Sequence, residues 1–223
     1  MIIFKKLFLR EILVNVNAFN VFFSKSIFFV IIISLFSITI KSDKNLLLNI
    51  GNILLWISLM VSVIQNFDQI FTDDYENGWL EQIFLNENTK YIYIFSKCLC
   101  LYIINLIPLL IVCPIAFILL DIPIKILPFF YLTLFIVLGS LILLGALSSS
   151  LTIGSKLSSI ISIILILPLT LPIIIFAILS TDKESYFINY FSNLLFLGGI
   201  FLIFLVICPI AIVEGLKILI EEE

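Results

Sequence analysis

Five stretches of this chain run for 23 residues or more without a single charged side chain: Asn45–Phe67, Cys98–Leu120, Ile126–Ser155, Leu157–Thr181 and Ser185–Val213. A helix needs roughly 20 apolar residues to cross a bilayer, and only helices or closed barrels can satisfy their backbone there. Barrel strands alternate apolar and polar residues at every second position. None of these stretches does so, and each reads as a helical span. A sixth stretch, Ser26–Ile40, is shorter; it reaches full length if the helix begins near Val21 and Lys25 snorkels to the interface. The expected architecture is all-α and polytopic, a single transmembrane domain over residues 1–223. Its spans are near 21–40, 45–67, 94–119, 127–150, 157–180 and 190–213, with a polar cytoplasmic element at 68–88.

Composition supports lipid as the solvent. The chain is 62% hydrophobic and 12% charged, against about 45–50% and about 25% in soluble domains, and its mean hydropathy is +1.29. The net charge of −3 and the lack of a basic patch exclude nucleic acid as a partner. There is no histidine, which removes the commonest general base, metal ligand and haem ligand. Cys98, Cys100, Cys113 and Cys208 lie in apolar stretches. Cys98 and Cys100 would point about 200° apart on a helix, so membrane-buried thiols are expected rather than a metal or redox pair. The N-terminal residues do not read as a cleavable signal, since Asn15, Asn17 and Asn20 stand where an apolar region should follow Lys5, Lys6 and Arg10.

Orientation follows from lysines and arginines beside the spans. With the N-terminus inside, the inner side holds eight (Lys5, Lys6, Arg10, Lys25, Lys90, Lys97, Lys156, Lys217) and the outer side four (Lys41, Lys44, Lys125, Lys183). Both termini are then cytoplasmic, or on the matrix side of an organelle.

Two segments are neither span nor simple loop. From Phe4 to Leu13 an apolar stripe of Phe4, Leu7, Phe8 and Ile12 opposes Lys5, Lys6 and Arg10. This suits an interfacial helix flat on the membrane with its lysines near anionic headgroups, or a plain extension of the first span. The second segment reads FDQIFTDDYENGWLEQIFLNE from Phe67 to Glu87. Phe67, Ile70, Phe71 and Tyr75 form one stripe, with Asp68, Asp73 and Glu76 off it. Asn77-Gly78 is a turn dipeptide, and Trp79, Leu80, Ile83 and Phe84 begin a second stripe. The expectation is an acidic helix-turn-helix on the cytoplasmic face. Either its apolar stripe docks on a partner, with carboxylates fixing register, or it is a solvated interfacial loop.

Other chemistry is missing. There is no phosphate-binding G-x-x-x-x-G-K-[ST] loop; Gly154-Ser155-Lys156 is only a short turn. No nucleophile has a base beside it, so an enzyme is not expected. An ion-driven carrier normally holds ionisable groups within its spans, and five of these have none. Pro168 and Pro172 interrupt the fifth span, where freed carbonyls could line a cavity or the helix could simply kink. A moving machine of this kind would draw its energy from another subunit.

The stretch FTDDYENGWLEQIFL resembles the haem exporter protein B (CcmB) family of cytochrome c maturation, in which an acidic pair, a glycine and Leu-Glu-Gln follow the second span. The match falls on Asp73, Asp74, Gly78, Leu80, Glu81 and Gln82. A second match, LGSLILLGALSSSLTIGSK followed by ILPLTLPIIIFA, falls on Gly139, Gly145, Leu151, Thr152, Gly154, Pro168 and Pro172. Asn77 stands where the family commonly has Asp, and Ser140 replaces a Thr. The resemblance covers nearly the whole chain.

That resemblance implies the permease subunit of an ABC-type transporter for haem export and haem-chaperone release in cytochrome c biogenesis. It would pair with a separate ABC ATP-binding subunit, with a haem-handling membrane protein and with a haem chaperone. It would form a homodimer in a bacterial or mitochondrial inner membrane. The six residues of the first match would couple to the ATPase, and Pro168 and Pro172 would be a hinge. The chain is expected to bind no cofactor itself. ATP sits on the ATPase, and haem, which would find only Met60, Tyr or Cys as ligands here, sits on a partner. The alternatives are an ABC permease for a lipid or other apolar solute, and a non-transporting scaffold.

Overall fold

Inside a bilayer no water can take up a stray N–H or C=O, so a chain this apolar must bond its backbone to itself. It does so with helices. The computed structural model describes residues 2–17, 19–40, 44–65, 67–154, 158–181 and 187–221, and no β-strand occurs among the described residues. In chain order the helices are α1 (Ile2–Asn17), α2 (Phe19–Ile40), α3 (Lys44–Ile64), α4 (Thr72–Glu76), α5 (Trp79–Phe84), α6 (Glu87–Leu119), α7 (Leu127–Thr152), α8 (Ser158–Ser180) and α9 (Phe187–Glu221). Short 3₁₀ turns lie at Phe67–Gln69 and Ile124–Ile126. Five stretches are long and apolar enough to cross a membrane, within Ile50–Glu76, Thr89–Leu119, Ile124–Thr152, Ser159–Ser180 and Tyr190–Glu221. A shorter apolar stretch, Ser24–Ile40, lies in α2. The chain is an integral, polytopic, all-α membrane protein.

Two helices outrun their expected bounds. α6 begins at Glu87 rather than 94, and α9 continues to Glu221 rather than 213. With 33 residues α6 is about 50 Å long and with 35 residues α9 is about 52 Å, while the hydrocarbon core is about 30 Å thick. Both therefore project beyond the apolar layer. Their overhanging turns flank α5, where Glu81, Phe84, Leu85, Lys90, Lys217, Ile220 and Glu221 enclose a groove of about 530 Å³. Since α1 reaches α4 through Arg10 and Asp74, both ends of the described chain lie at the same end of the bundle as α4 and α5.

Lys25 does not snorkel. It is buried, with its ammonium 5.5 Å above the Phe67 ring and the Asp68 carboxylate near enough to attract it. Lys41, Lys156 and Lys183 of the orientation count, and the Ser155-Lys156 half of the short turn, lie outside the described residues.

α7 is the central helix, packed against α9, α8, α6 and α3. Helices in lipid associate through close packing and hydroxyl bonds rather than through the hydrophobic effect, and α7 carries the small residues this needs. A methyl group on Gly139 would come within 2.7 Å of the Phe201 ring of α9; one on Gly145 would come within 2.5 Å of Phe67. Ser148 donates to Ser162 of α8 at 2.7 Å. Near the opposite end, the Trp56 indole donates to the Thr181 hydroxyl at 2.7 Å, and Thr181 donates to Asn52 at 2.9 Å, tying α3 to the end of α8.

Candidate coupling site

The polar element after α3 is built as a plug with an acidic outer face. Phe67 fills the notch left by Gly145. Ser149 of α7 donates to the Asp68 carbonyl at 3.2 Å and accepts the Phe71 N–H at 3.3 Å. Ser159, at the start of α8, donates to the Asp68 carboxylate at 2.5 Å. One end of the element is thus gripped by α7 and α8. The expected stripe of Phe67, Ile70, Phe71 and Tyr75 turns inward, and Asp73 and Glu76 turn out. The first arm is broken rather than continuous, a 3₁₀ turn followed by the short α4. Asn77 then closes α4 by donating to the Asp73 carbonyl at 2.6 Å. Gly78 takes φ 66°, a left-handed value that costs glycine nothing, and α5 follows with Leu80 and Ile83 buried.

Beneath α4 lies a cluster of four charges and a phenol drawn from three helices. The Asp74 carboxylate accepts from Arg10 of α1 at 2.6 Å, and from Tyr93 and Lys97 of α6. Glu11, next to Arg10, accepts from it at 2.6 Å and lies 3.7 Å from Lys97. The side chains of Glu11, Asp74 and Lys97 are 1%, 5% and 8% exposed. Arg10 also lies 4.3 Å above the Trp79 ring of α5, and Lys97 5.3 Å above Phe71. Burial opposes the Arg10 charge, but the hydrogen bond and attraction of Asp74 more than offset it and raise its pKa above the usual guanidinium value. Two cations meet two anions, so the group is neutral as a whole. Removing one member leaves a buried charge uncompensated, at a cost of about 3–5 kcal/mol.

The six residues marked out in the sequence therefore divide. Asp73, Glu81 and Gln82 are exposed, Gly78 is the turn, and Asp74 and Leu80 face inward and hold the element in place. Leu85, just past α5, is 83% exposed. Pro168 and Pro172 lie inside a continuous α8 on its outward face, and Pro108, Pro114 and Pro209 likewise lie inside α6 and α9.

Sequence reasoning missed Glu11, Tyr93 and Lys97, and set Arg10 on the polar side of α1 when it turns inward. One signal was present. Glu11 is i+4 from Leu7 and i+3 from Phe8, a carboxylate on the apolar stripe of α1, and such a group needs a buried cation. No spacing, however, links position 11 to positions 74 and 97.

The family model described as CcmB protein matches residues 2–219. The chain belongs to the CcmB family. It is similar to heme exporter protein B of Pseudomonas aeruginosa, 28% identical over 196 residues covering 88% of each chain. The same-named protein of Haemophilus influenzae is 28% identical over 197 residues, 87% of this chain and 88% of the relative. That of Paracoccus denitrificans is 25% identical over 214 residues, 96% of this chain and 98% of the relative. The CcmB match takes in α1, the acidic element and all the spans, so the charge cluster and the exposed acidic face both lie within it.

Proposed function

We propose that this chain is the membrane subunit of a haem export system, and more specifically the permease of an ABC-type transporter in cytochrome c maturation. An ATP-binding subunit would dock on the acidic face of α4 and α5. One observation carries this reading: Asp73, Glu76, Glu81, Gln82 and Leu85 are exposed on an element whose underside is fixed to α1, α6, α7 and α8. A charged, partly apolar face on an element anchored to the spans suits the receipt of a mechanical stroke. The bundle holds no nucleotide-binding loop of its own. We place this face and both termini in the cytoplasm or matrix, with the chain in an inner membrane. It acts as one of two copies, alongside a haem-handling membrane protein and a haem chaperone.

Haem is the cargo of the system, held by a partner rather than by this chain. The chain has no histidine. The cleft among α6, α7 and α9, of about 360 Å³, is lined by Phe95, Cys98, Tyr102, Phe135, Phe201 and Pro209 among others, with no charged side chain to meet a propionate. Tyr102 already donates to the Phe135 carbonyl. In a spectroscopic titration of the purified chain we expect no saturable haem complex; a stoichiometric one would overturn this assignment.

The test of the main reading is capture of the detergent-solubilised chain with identification of what comes with it. An ATPase whose turnover the chain changes is expected, together with loss of c-type cytochromes on deletion. Gly78→Val should break the turn and abolish the effect on turnover while leaving membrane insertion intact. A chain that captures no ATPase, or a Gly78→Val variant that matures cytochrome c normally, counts against it.

A further inference from the structure

α1 presents none of the acidic face, yet α4 is tied to it by charge. Asp74 holds Arg10 of α1 together with Tyr93 and Lys97 of α6, and Glu11 closes the ring between Arg10 and Lys97. Apolar contacts run alongside: the Phe4 ring lies 5.9 Å from Phe8 and 6.4 Å from Phe95 of α6. Such a cluster resists opening one bond at a time, because each parting strands a buried charge, whereas moving intact strands none. The element's other grip is of a weaker kind. There Ser149 offers neutral hydroxyl bonds, roughly half as strong as charge-assisted ones, Ser159 one charge-assisted bond to the Asp68 carboxylate, and Phe67 van der Waals contact with Gly145; none of these is an ion pair.

We infer that Arg10, Glu11, Asp74, Tyr93 and Lys97 form a latch that makes α1, α4 and α6 move as one body, so that α1 belongs to the transmission and slides with the stroke against α7, α8 and α9. The inference rests on the reading of α4 and α5 as the ATPase contact. We place the seam between α6 and α7, which touch less extensively than α7 does with α8 or α9. The apolar cleft lies along that seam, with Phe95, Cys98, Leu99 and Tyr102 on the α6 wall, and α7 with α9 on the other. Movement of the two bodies would open or close it. Arg10, Glu11, Tyr93 and Lys97 are positioning residues for the stroke, acting through Asp74.

The test uses the chain with its ATPase in nanodiscs, with spin labels on introduced cysteines; the four native thiols are buried and label poorly. Leu9→Cys on α1 with Tyr91→Cys on α6 reports within the first body, and Leu9→Cys with Ile160→Cys on α8 reports across the seam. All three positions are exposed. With ATP and vanadate the first distance should hold and the second shift. In Asp74→Asn the shift should vanish and stimulation of the ATPase fall by roughly 5-fold or more at unchanged binding. A bound Asp74→Asn complex with wild-type stimulation and shift overturns the latch, as does a change in the first distance. Should Asp74→Asn fail to insert, a Phe4→Cys, Phe95→Cys disulfide decides: stimulation survives the tether if α1 and α6 move together, and its loss overturns the inference. A wild-type chain that neither binds nor alters an ATPase is a different result, and sinks the reading beneath it along with the latch.

Discussion

Gly78 sits at φ 66° with open space where a side chain would go, whereas Gly145 is helical and has the Phe67 ring 2.5 Å from that point. The two positions should fail differently. At Gly78 a Cβ meets only backbone strain, about 1–2 kcal/mol for most residues, and Asn relieves much of it. At Gly145 an added methyl must displace an aromatic ring wedged between helices, an overpacking cost of about 1–3 kcal/mol. Gly145→Ala should therefore lower the unfolding temperature in detergent by more than Gly78→Asn does; the reverse order would refute the packing seen around Phe67. The charge cluster gives a second contrast. Lys97→Met leaves Asp74 and Glu11 with only Arg10 between them. Adding Asp74→Asn restores balance by leaving Arg10 with Glu11. The double variant should be more stable than Lys97→Met alone, as a double-mutant cycle would read. Simple additivity would mean the four charges do not act as a unit.

At the scale of elements, Phe67 sets where the acidic plug meets α7. If the ring against Gly145 fixes that register, shortening it should relieve the damage of a larger residue opposite. Phe67→Leu combined with Gly145→Ala should recover much of the lost stability, and hydrogen exchange over residues 70–77 should return toward wild type; failure of the pair to compensate would separate the plug from α7. The parts of this region set by local period were legible in the sequence. The stripe Phe67, Ile70, Phe71 and Tyr75, the Asn77-Gly78 turn and the second stripe from Trp79 all appear as read, since each depends on neighbours within two turns of helix. What could not be read was long-range. Asp73 and Asp74 are adjacent and chemically alike, yet one is exposed and the other buried. Only the fold brings Arg10 and Lys97 to Asp74, and helical spacing carries no record of contacts 64 and 23 residues apart. Lys25 misled for the same reason, because the Phe67 ring that receives it lies in a different element.

At the scale of the molecule, one end of the bundle gathers α1, α4, α5 and the last turns of α9, while the Ile124–Ile126 turn lies at the other. Which end faces the cytosol is decided by charge, and here the structure changes the arithmetic. Arg10, Lys25 and Lys97 are turned into the protein, so among the described residues Lys5, Lys6, Lys90 and Lys217 remain to meet headgroups at the first end, with Lys125 exposed at the second. The bias keeps its sign with fewer members, as the proposed cytosolic placement of the acidic face requires. Buried native thiols make this measurable with a membrane-impermeant maleimide on intact spheroplasts. Lys125→Cys should label at once, and Gln82→Cys and Lys217→Cys only after the membrane is opened. Because Lys217 and Glu81 line one groove, the last two must label from the same side whichever side that is; opposite labelling would contradict the helix arrangement itself. Labelling of Gln82→Cys from outside would leave the arrangement intact and remove the function, since a nucleotide-driven stroke could not reach a face turned away from the nucleotide.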